Sequence, residues 1–269
     1  MILILITTII TSTLMYFYLR FKTRMNIRHL YIDNLLVIAV TSLLLYGIIF
    51  LFNLNIDTTL ALLFSAISIP LVAGLGYALT MIRFWSTPKR AVKAGEHQLI
   101  SPADGNILYI KKVKAHDIPI SIKKGLEAKL VEITQTDLLT QPCWLVGINM
   151  TPFDVHKNCS PVNGKVKFLK HINGEFASLK HPEAVLRNER HTIVIESESG
   201  EKFGITQTAS KMVRRIDSYV KEGDSIQKGD WFGMIRFGSQ VDFIFPEQYN
   251  VKVQVGQQVY AVKSIIAEK

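Results

Sequence analysis

Cysteine is nearly absent from this chain: only Cys143 and Cys159 occur in 269 residues. Two thiols are too few for a disulfide-stapled scaffold, and their spacing matches no metal site, so no metal is expected. They suit a reducing compartment. Charge is absent from long stretches as well. Residues 1–18, 35–52 and 58–82 contain no Asp, Glu, Lys or Arg at all. A nucleic-acid-binding motif is missing despite the formal net charge of +9, so nucleic acid is not an expected partner.

Each uncharged run is about long enough to cross ~30 Å of hydrocarbon. A short apolar run alone is often a buried core helix. Three in succession instead predict a membrane anchor over residues 1–82 with about three transmembrane helices. A secretory signal peptide carries its cations before the apolar run, whereas Arg20, Lys22, Arg24 and Arg28 follow the first one here, so that segment reads as a retained anchor. The loop at 53–57 carries no cation, and Arg83, Lys89 and Arg90 follow the third run. By the positive-inside rule everything after residue 83 then faces the cytoplasm at the cell (inner) membrane. Residues 83–97 read as a juxtamembrane linker, with Phe84 and Trp85 suited to the bilayer interface. Only four of the 31 Lys+Arg and two of the 22 Asp+Glu precede residue 83, which leaves a surplus of about seven positive charges beyond it. Beside a membrane such a surplus favours an anionic lipid surface, at ~1 kcal/mol per cation close to the head groups.

From residue 98 the pattern becomes short and β-like. Asn106–Val113, Cys143–Met150, Lys165–Lys170, Thr192–Glu196, Lys202–Thr206, Phe232–Phe237, Val241–Phe245 and Val251–Val255 are rich in β-branched and aromatic residues, with Gly, Pro, Asn or Asp at their borders. Thr208–Val220 is the best helix candidate, because Met212, Val213 and Ile216 fall at helical spacing. The fold predicted for 98–269 is mainly β with few helices, an antiparallel β-sandwich or partly closed barrel. Val220–Asp230 resembles the lipoyl-like hairpin, whose glycines, here Gly223 and Gly229, serve positive-φ turns.

Three sequence blocks carry more specific information. They are Ser101-Pro102-Ala103-Asp104-Gly105; Phe153-Asp154-Val155-His156-Lys157-Asn158, followed by Pro161-Val162-Asn163-Gly164; and Gly238-Ser239 within Met234–Asp242. Each alone is ordinary turn chemistry. Together they resemble the phosphatidylserine decarboxylases, most closely the short form of that family, over roughly residues 83–269.

The resemblance implies that the chain cuts itself between Gly238 and Ser239. A β chain of residues 1–238 and an α chain of 239–269 would result, with Ser239 turned into a covalent pyruvoyl cofactor. Phosphatidylserine in the membrane is the implied substrate. It would lose CO2 through a Schiff base with the pyruvoyl group and become phosphatidylethanolamine. Glycine at 238 leaves the scissile carbonyl open to attack by the serine hydroxyl. His156 is the candidate proton carrier, since an imidazole offers both protonation states near neutral pH. Asp104 is the candidate carboxylate that orients a histidine or assists cleavage. The family's Asn-Glu-Arg block is present as Asn188-Glu189-Arg190, where Arg190 is the candidate for gripping a substrate carboxylate or phosphate and Glu189 its ion-pair partner.

One departure bears on the cleavage base. The long-form members carry a pair of histidines three residues apart in this block, whereas this chain has one, and Cys159 stands three residues after it. Either His156 serves both steps, or Cys159 or His191 takes one of them. Two other functions stay open: a pyruvoyl decarboxylase of a soluble amino acid, and a non-catalytic membrane-tethered β-barrel module. Homo-oligomerisation is left open too.

Overall fold

The computed structural model describes residues 1–114, 120–121, 126–211, 215–236 and 239–269, the last including the backbone but not the side chain of Ser239. They form two compact units, Met1–Phe84 and Trp85–Lys269.

The first unit is helical: α1 (Ile2–Thr23), α2 (Ile27–Leu51) and α3 (Thr58–Trp85), each long and apolar enough to cross a membrane. The large side chains point outward, with Phe21 87%, Leu43 74% and Phe50 84% exposed. Such a surface suits lipid rather than water. Several polar groups turn inward and find partners. Ser12 Oγ donates to Asn34 Oδ1 at 2.6 Å, and Asn34 Nδ2 donates to Thr13 Oγ1 at 3.2 Å. Asp33, buried on α2, is gripped by the Arg83 guanidinium from α3 at 2.8 and 2.9 Å and by His29 at 3.1 Å. A buried carboxylate is tolerable in an apolar bundle only with such a partner.

The second unit is built on an eight-stranded antiparallel sheet curled into a half-barrel. Its strands lie in the spatial order β11 (Ser225–Ile226), β7 (Gly164–Ile172), β8 (Arg190–Glu196), β9 (Lys202–Ala209), β13 (Ser239–Pro246), β5 (Cys143–Met150), β2 (Gly105–Val113) and β15 (Gln258–Val259). Successive residues face opposite sides of a strand. Val146, Ile195 and Phe243 therefore enter one core, while Leu145, Val194 and Ile244 enter another. Both faces are covered, so these strands read as nearly unbroken apolar runs. The second core is closed by α4 (Leu130–Thr134) and α5 (Ala184–Arg187).

Two smaller sheets and a hairpin complete the unit. One sheet runs β10 (Arg215–Ser218), β12 (Trp231–Arg236), β6 (Lys157–Cys159); the other runs β1 (Gln98–Ile100), β16 (Ile265–Glu268), β14 (Asn250–Val251). The hairpin joins β3 (Ile120–Ser121) to β4 (Glu127–Ala128).

The helix expected over Thr208–Val220 does not form. Thr208 and Ala209 continue β9 in register with Gln240 and Ser239, and Arg215–Ser218 pair with β12. Met212 and Val213 lie outside the described residues. Ile216 is buried opposite Ile235 while its neighbour Arg215 is exposed, a period of two that the helical spacing had masked. The lipoyl-like turn does carry its glycines as expected, Gly223 at φ 91° and Gly229 at φ 94°. Asp224 and Asp230 tie it down, each carboxylate accepting the backbone N–H three residues earlier.

Candidate active site

Strand register draws the sequence blocks to one end of the half-barrel. β13 begins at Ser239, which lies opposite Met150 of β5 on one side and Ala209 of β9 on the other. The chain then leaves Met150, passes through Thr151–His156 and enters β6, whose Lys157 pairs with Met234 of β12. His156 itself accepts a hydrogen bond from Ile235 N at its carbonyl, 3.1 Å. The His156 segment thus spans from a residue paired with Ser239 to a residue paired with the strand that runs into it. Phe237 and Gly238, including the expected cleavage position, lie outside the described residues.

The segment is held by a buried carboxylate. Asp154 Oδ2 accepts from Thr151 N and Thr151 Oγ1, both at 2.7 Å, and its Oδ1 accepts from Gln258 Nε2 at 3.1 Å. Burial pushes the Asp154 pKa up, with the Asp104 charge adding to the shift. His156 is fully buried, and its Nδ1 lies 2.9 Å from Asp154 O. A carbonyl only accepts, so Nδ1 carries the proton and Nε2 keeps its lone pair. Burial lowers the His156 pKa to about 4, which makes the ring a neutral imidazole at pH 7.

Asp104 is buried beside this segment. Its Oδ1 accepts from Arg90 Nη1 at 2.5 Å and Ala261 N at 2.7 Å, and its Oδ2 accepts from Arg90 Nη2 at 2.7 Å. Both oxygens are thereby engaged. Arg90 belongs to the linker and has no sequence signature. The next residue, Gly105, is needed where it stands: at φ 152° a Cβ would come 2.4 Å from Asn149 O. Pro102 O accepts from Cys159 N at 3.0 Å and from Asn158 Nδ2 at 3.4 Å, which stitches the first block to the second.

Cys159 packs with Ile100, Ala261 and Val262, and its thiol sits 3.3 Å from Ser101 O. Burial raises its pKa to about 12, so it is a neutral thiol and a poor base. Cys159→Ser should process and turn over within a few-fold of wild type, because a hydroxyl can make the same donation; a variant that stays uncleaved on a denaturing gel would refute this.

His191 joins a second chain of polar contacts. Its Nδ1 lies 2.9 Å from Gln207 Oε1, Gln207 Nε2 donates to Asn158 Oδ1 at 2.7 Å, and Asn158 donates on to Pro102 O. The chain braces the second block from behind. Asn158 was legible as part of that block, but Gln207 was not.

The Asn-Glu-Arg block needs a correction. Glu189 does not pair with Arg190 but lies 3.2 Å from His171 Nε2 and accepts from Ile216 N at 3.2 Å. Arg190 is 4% exposed, and its Nη1 donates to the carbonyls of Glu132, Ile133 and Val185 at 2.9, 3.3 and 3.3 Å. Those carbonyls belong to α4 and α5, so the guanidinium fastens these helices to the sheet. Burial lowers its pKa, which the Asp242 charge partly offsets.

A row of polar side chains crosses the sheet one residue beyond Ser239: Arg190, Thr208, Gln240 and Asn149 are successive lateral neighbours. Gln240 Nε2 donates to Tyr109 Oη and both Asp242 oxygens at 2.9–3.1 Å, and Tyr109 Oη donates to Asp242 Oδ1. Thr208 Oγ1 and Gln240 Oε1 are buried without a hydrogen-bond partner among the described residues. Polar groups left unmet in a core mark a place for another polar group. Among the described residues no cluster of His, Cys, Asp or Glu is arranged to hold a metal ion.

The family model for phosphatidylserine decarboxylase matches residues 77–267. That span takes in all three blocks. The chain belongs to the phosphatidylserine decarboxylase family. A phosphatidylserine decarboxylase proenzyme of Cytophaga hutchinsonii is 32% identical over 198 residues, 74% of this chain and 81% of the relative. Another, from Syntrophus aciditrophicus, is 33% identical over 218 residues, 81% of this chain and 93% of the relative. A protein of Methanocaldococcus jannaschii, provisionally named an archaetidylserine decarboxylase proenzyme, is 36% identical over 200 residues, 74% of this chain and 94% of its own length. The family match covers the β unit up to residue 267, and the helices before that unit lie largely outside it.

Proposed function

We propose that the chain is a membrane-anchored decarboxylase that cuts itself between Gly238 and Ser239, converts Ser239 to a pyruvoyl group, and turns phosphatidylserine into phosphatidylethanolamine and CO2. The observation that carries this reading is the register around β13. It brings the segment bearing a neutral His156 to both strands that flank the expected scission. The relatives' designation as proenzymes agrees with a chain that matures by cleavage.

Position 239 heads an interior strand between Met150 of β5 and Ala209 of β9, both buried, so a carbonyl-bearing group there would have apolar neighbours that exclude water. A pyruvoyl group there would supply a carbonyl that takes up the substrate amine and draws off the electrons left by the departing carboxylate. The protein's own contribution is proton handling and exclusion of water. His156 Nε2, which keeps its lone pair, is the atom assigned to accept a proton during cleavage and to return one to the substrate carbon during turnover. Asp104 and Asp154 hold the segments on either side of it.

Both substrates named among the relatives are serine phospholipids, so the amine, carboxylate and phosphate of the head group are the common recognition elements. Phosphatidylserine vesicles should release CO2 with the purified protein, and pretreatment with a carbonyl reagent such as hydroxylamine should stop it. Release that survives the reagent would contradict a carbonyl cofactor, and release from free serine alone would favour a soluble substrate.

The anchor is read as residues 1–82, with the β unit cytoplasmic at the cell membrane and drawn to an anionic lipid surface. Arg20, Lys22, Arg24 and Arg28 motivate that orientation. A reporter fused after Lys269 should be active only when it is of the cytoplasmic type; activity of a periplasmic-type reporter would reverse the topology.

A further inference from the structure

We propose that Arg90, on the segment that follows α3, is a positioning residue for self-cleavage, holding the Asp104 carboxylate in place through a two-pronged contact. The proposal rests on the reading of Asp104 as part of the cleavage apparatus.

The contact is built rather than incidental. The Arg90 side chain is 11% exposed and that of Asp104 4% exposed. Arg90 Nη1 also donates to Ala261 O at 2.9 Å, while Ala261 N donates to Asp104. Three stretches far apart in sequence therefore close a ring: the linker, the Ser-Pro-Ala-Asp-Gly block and a residue on the C-terminal side of the expected cut. Only the planar fork of arginine meets both carboxylate oxygens and a carbonyl at once.

The rest of the linker is registered on the same unit. Thr87 accepts from Lys157 Nζ, Trp85 lies under the Arg236 guanidinium at 5.7 Å, and Val92 packs where a Cβ on Gly229 would come within 2.6 Å. Lys157 follows His156, and Arg236 lies two residues before Gly238. The linker thus touches the strands on both sides of the site.

Charge makes Arg90 more than a strut. Asp104 and Asp154 are both buried, at 3% and 4% exposure, and the Asp104 charge helps to push the Asp154 pKa up. Arg90 is the cation bonded to Asp104 among the described residues. The other groups that act on the guanidinium are the Cys159 thiol, neutral at pH 7, and the Tyr260 phenol. Removing the guanidinium leaves Asp104 buried without the cation that holds both of its oxygens, a far larger loss than that of an exposed pair.

The test follows cleavage of newly made full-length chain in membranes by gel. Arg90→Met keeps the apolar stem and should slow cleavage about 10²-fold, the scale for displaced catalytic geometry. Arg90→Lys keeps the charge without the fork and should recover part of that rate. Adding Arg90→Met to Asp104→Asn should slow cleavage no further than Asp104→Asn alone. Should Arg90→Met fail to accumulate, Arg90→Lys, alone and combined with Asp104→Asn, decides. Either variant cleaving as wild type does, Arg90→Lys cleaving no faster than Arg90→Met, or a double variant slower than Asp104→Asn would overturn the proposal. A wild-type chain that never cleaves, or an Asp104→Asn chain that cleaves normally, would sink the parent reading instead.

Discussion

Ser239→Ala should leave the chain whole and inactive. The wild-type protein should appear in intact mass spectrometry as residues 1–238 and 239–269, the smaller piece carrying a pyruvoyl group in place of its first amino acid's amine. Edman degradation of that piece should fail until the ketone is converted to an amine. The expected loss is complete because the proposed mechanism makes Ser239 both the attacking hydroxyl and the source of the cofactor, so no second group could substitute for it. An active preparation that retains full-length chain with an ordinary serine at 239 would reject the mechanism outright.

His156→Ala is expected to lower CO2 release by about 10²-fold or more, the usual scale for a positioned acid or base. Cleavage and turnover should be followed separately, since one imidazole is assigned to both. The pH dependence is more telling than the size of the loss. Burial holds the folded pKa near 4, below the ordinary imidazole value of 6.5, so the ring stays neutral as pH falls through 6.5 and protonates only as pH approaches 4. A base acting through Nε2 should therefore keep working from neutral pH down to about 5 and fail below that. An acid limb centred at 6.5 that disappears in His156→Ala would show that the ring titrates in water, contrary to its burial. A normal turnover rate in His156→Ala would remove it from the mechanism.

The strands that the sequence revealed are those whose neighbours enforce what their residues prefer. Cys143–Met150 was legible to the residue, because prolines at 142 and 152 bracket an apolar run that both cores bury. Val251–Val255 was not: only Asn250 and Val251 pair, and Val255 is 62% exposed, since turn residues Gln254–Gln257 take over the backbone. The helix expected at Thr208–Val220 gave way to strands, a ladder on both sides of β9 outweighing local spacing. Among the site residues, Asp104 and His156 were visible through their motifs. Arg90 was not, because its partners lie 14 and 171 positions away and a basic residue after a membrane helix already has a local explanation. Arg190 was found, but not its structural contacts. Its motif named the residue, whereas its job on the α4 and α5 carbonyls depends on helices too short to read from sequence.

β13 lies in the interior of the half-barrel, hydrogen-bonded to β9 along one edge and β5 along the other. A cut just before it would release no fragment, because the new chain start is woven into the middle of a sheet. It would also alter the order of the folding reaction. The uncut chain folds as one molecule at a rate independent of dilution, whereas two severed pieces must meet before β13 can be inserted between strands that already want each other. The mature protein would then be a structure that its own pieces cannot readily regain once lost. Its lifetime would be set by how slowly it opens rather than by how favourably it closes.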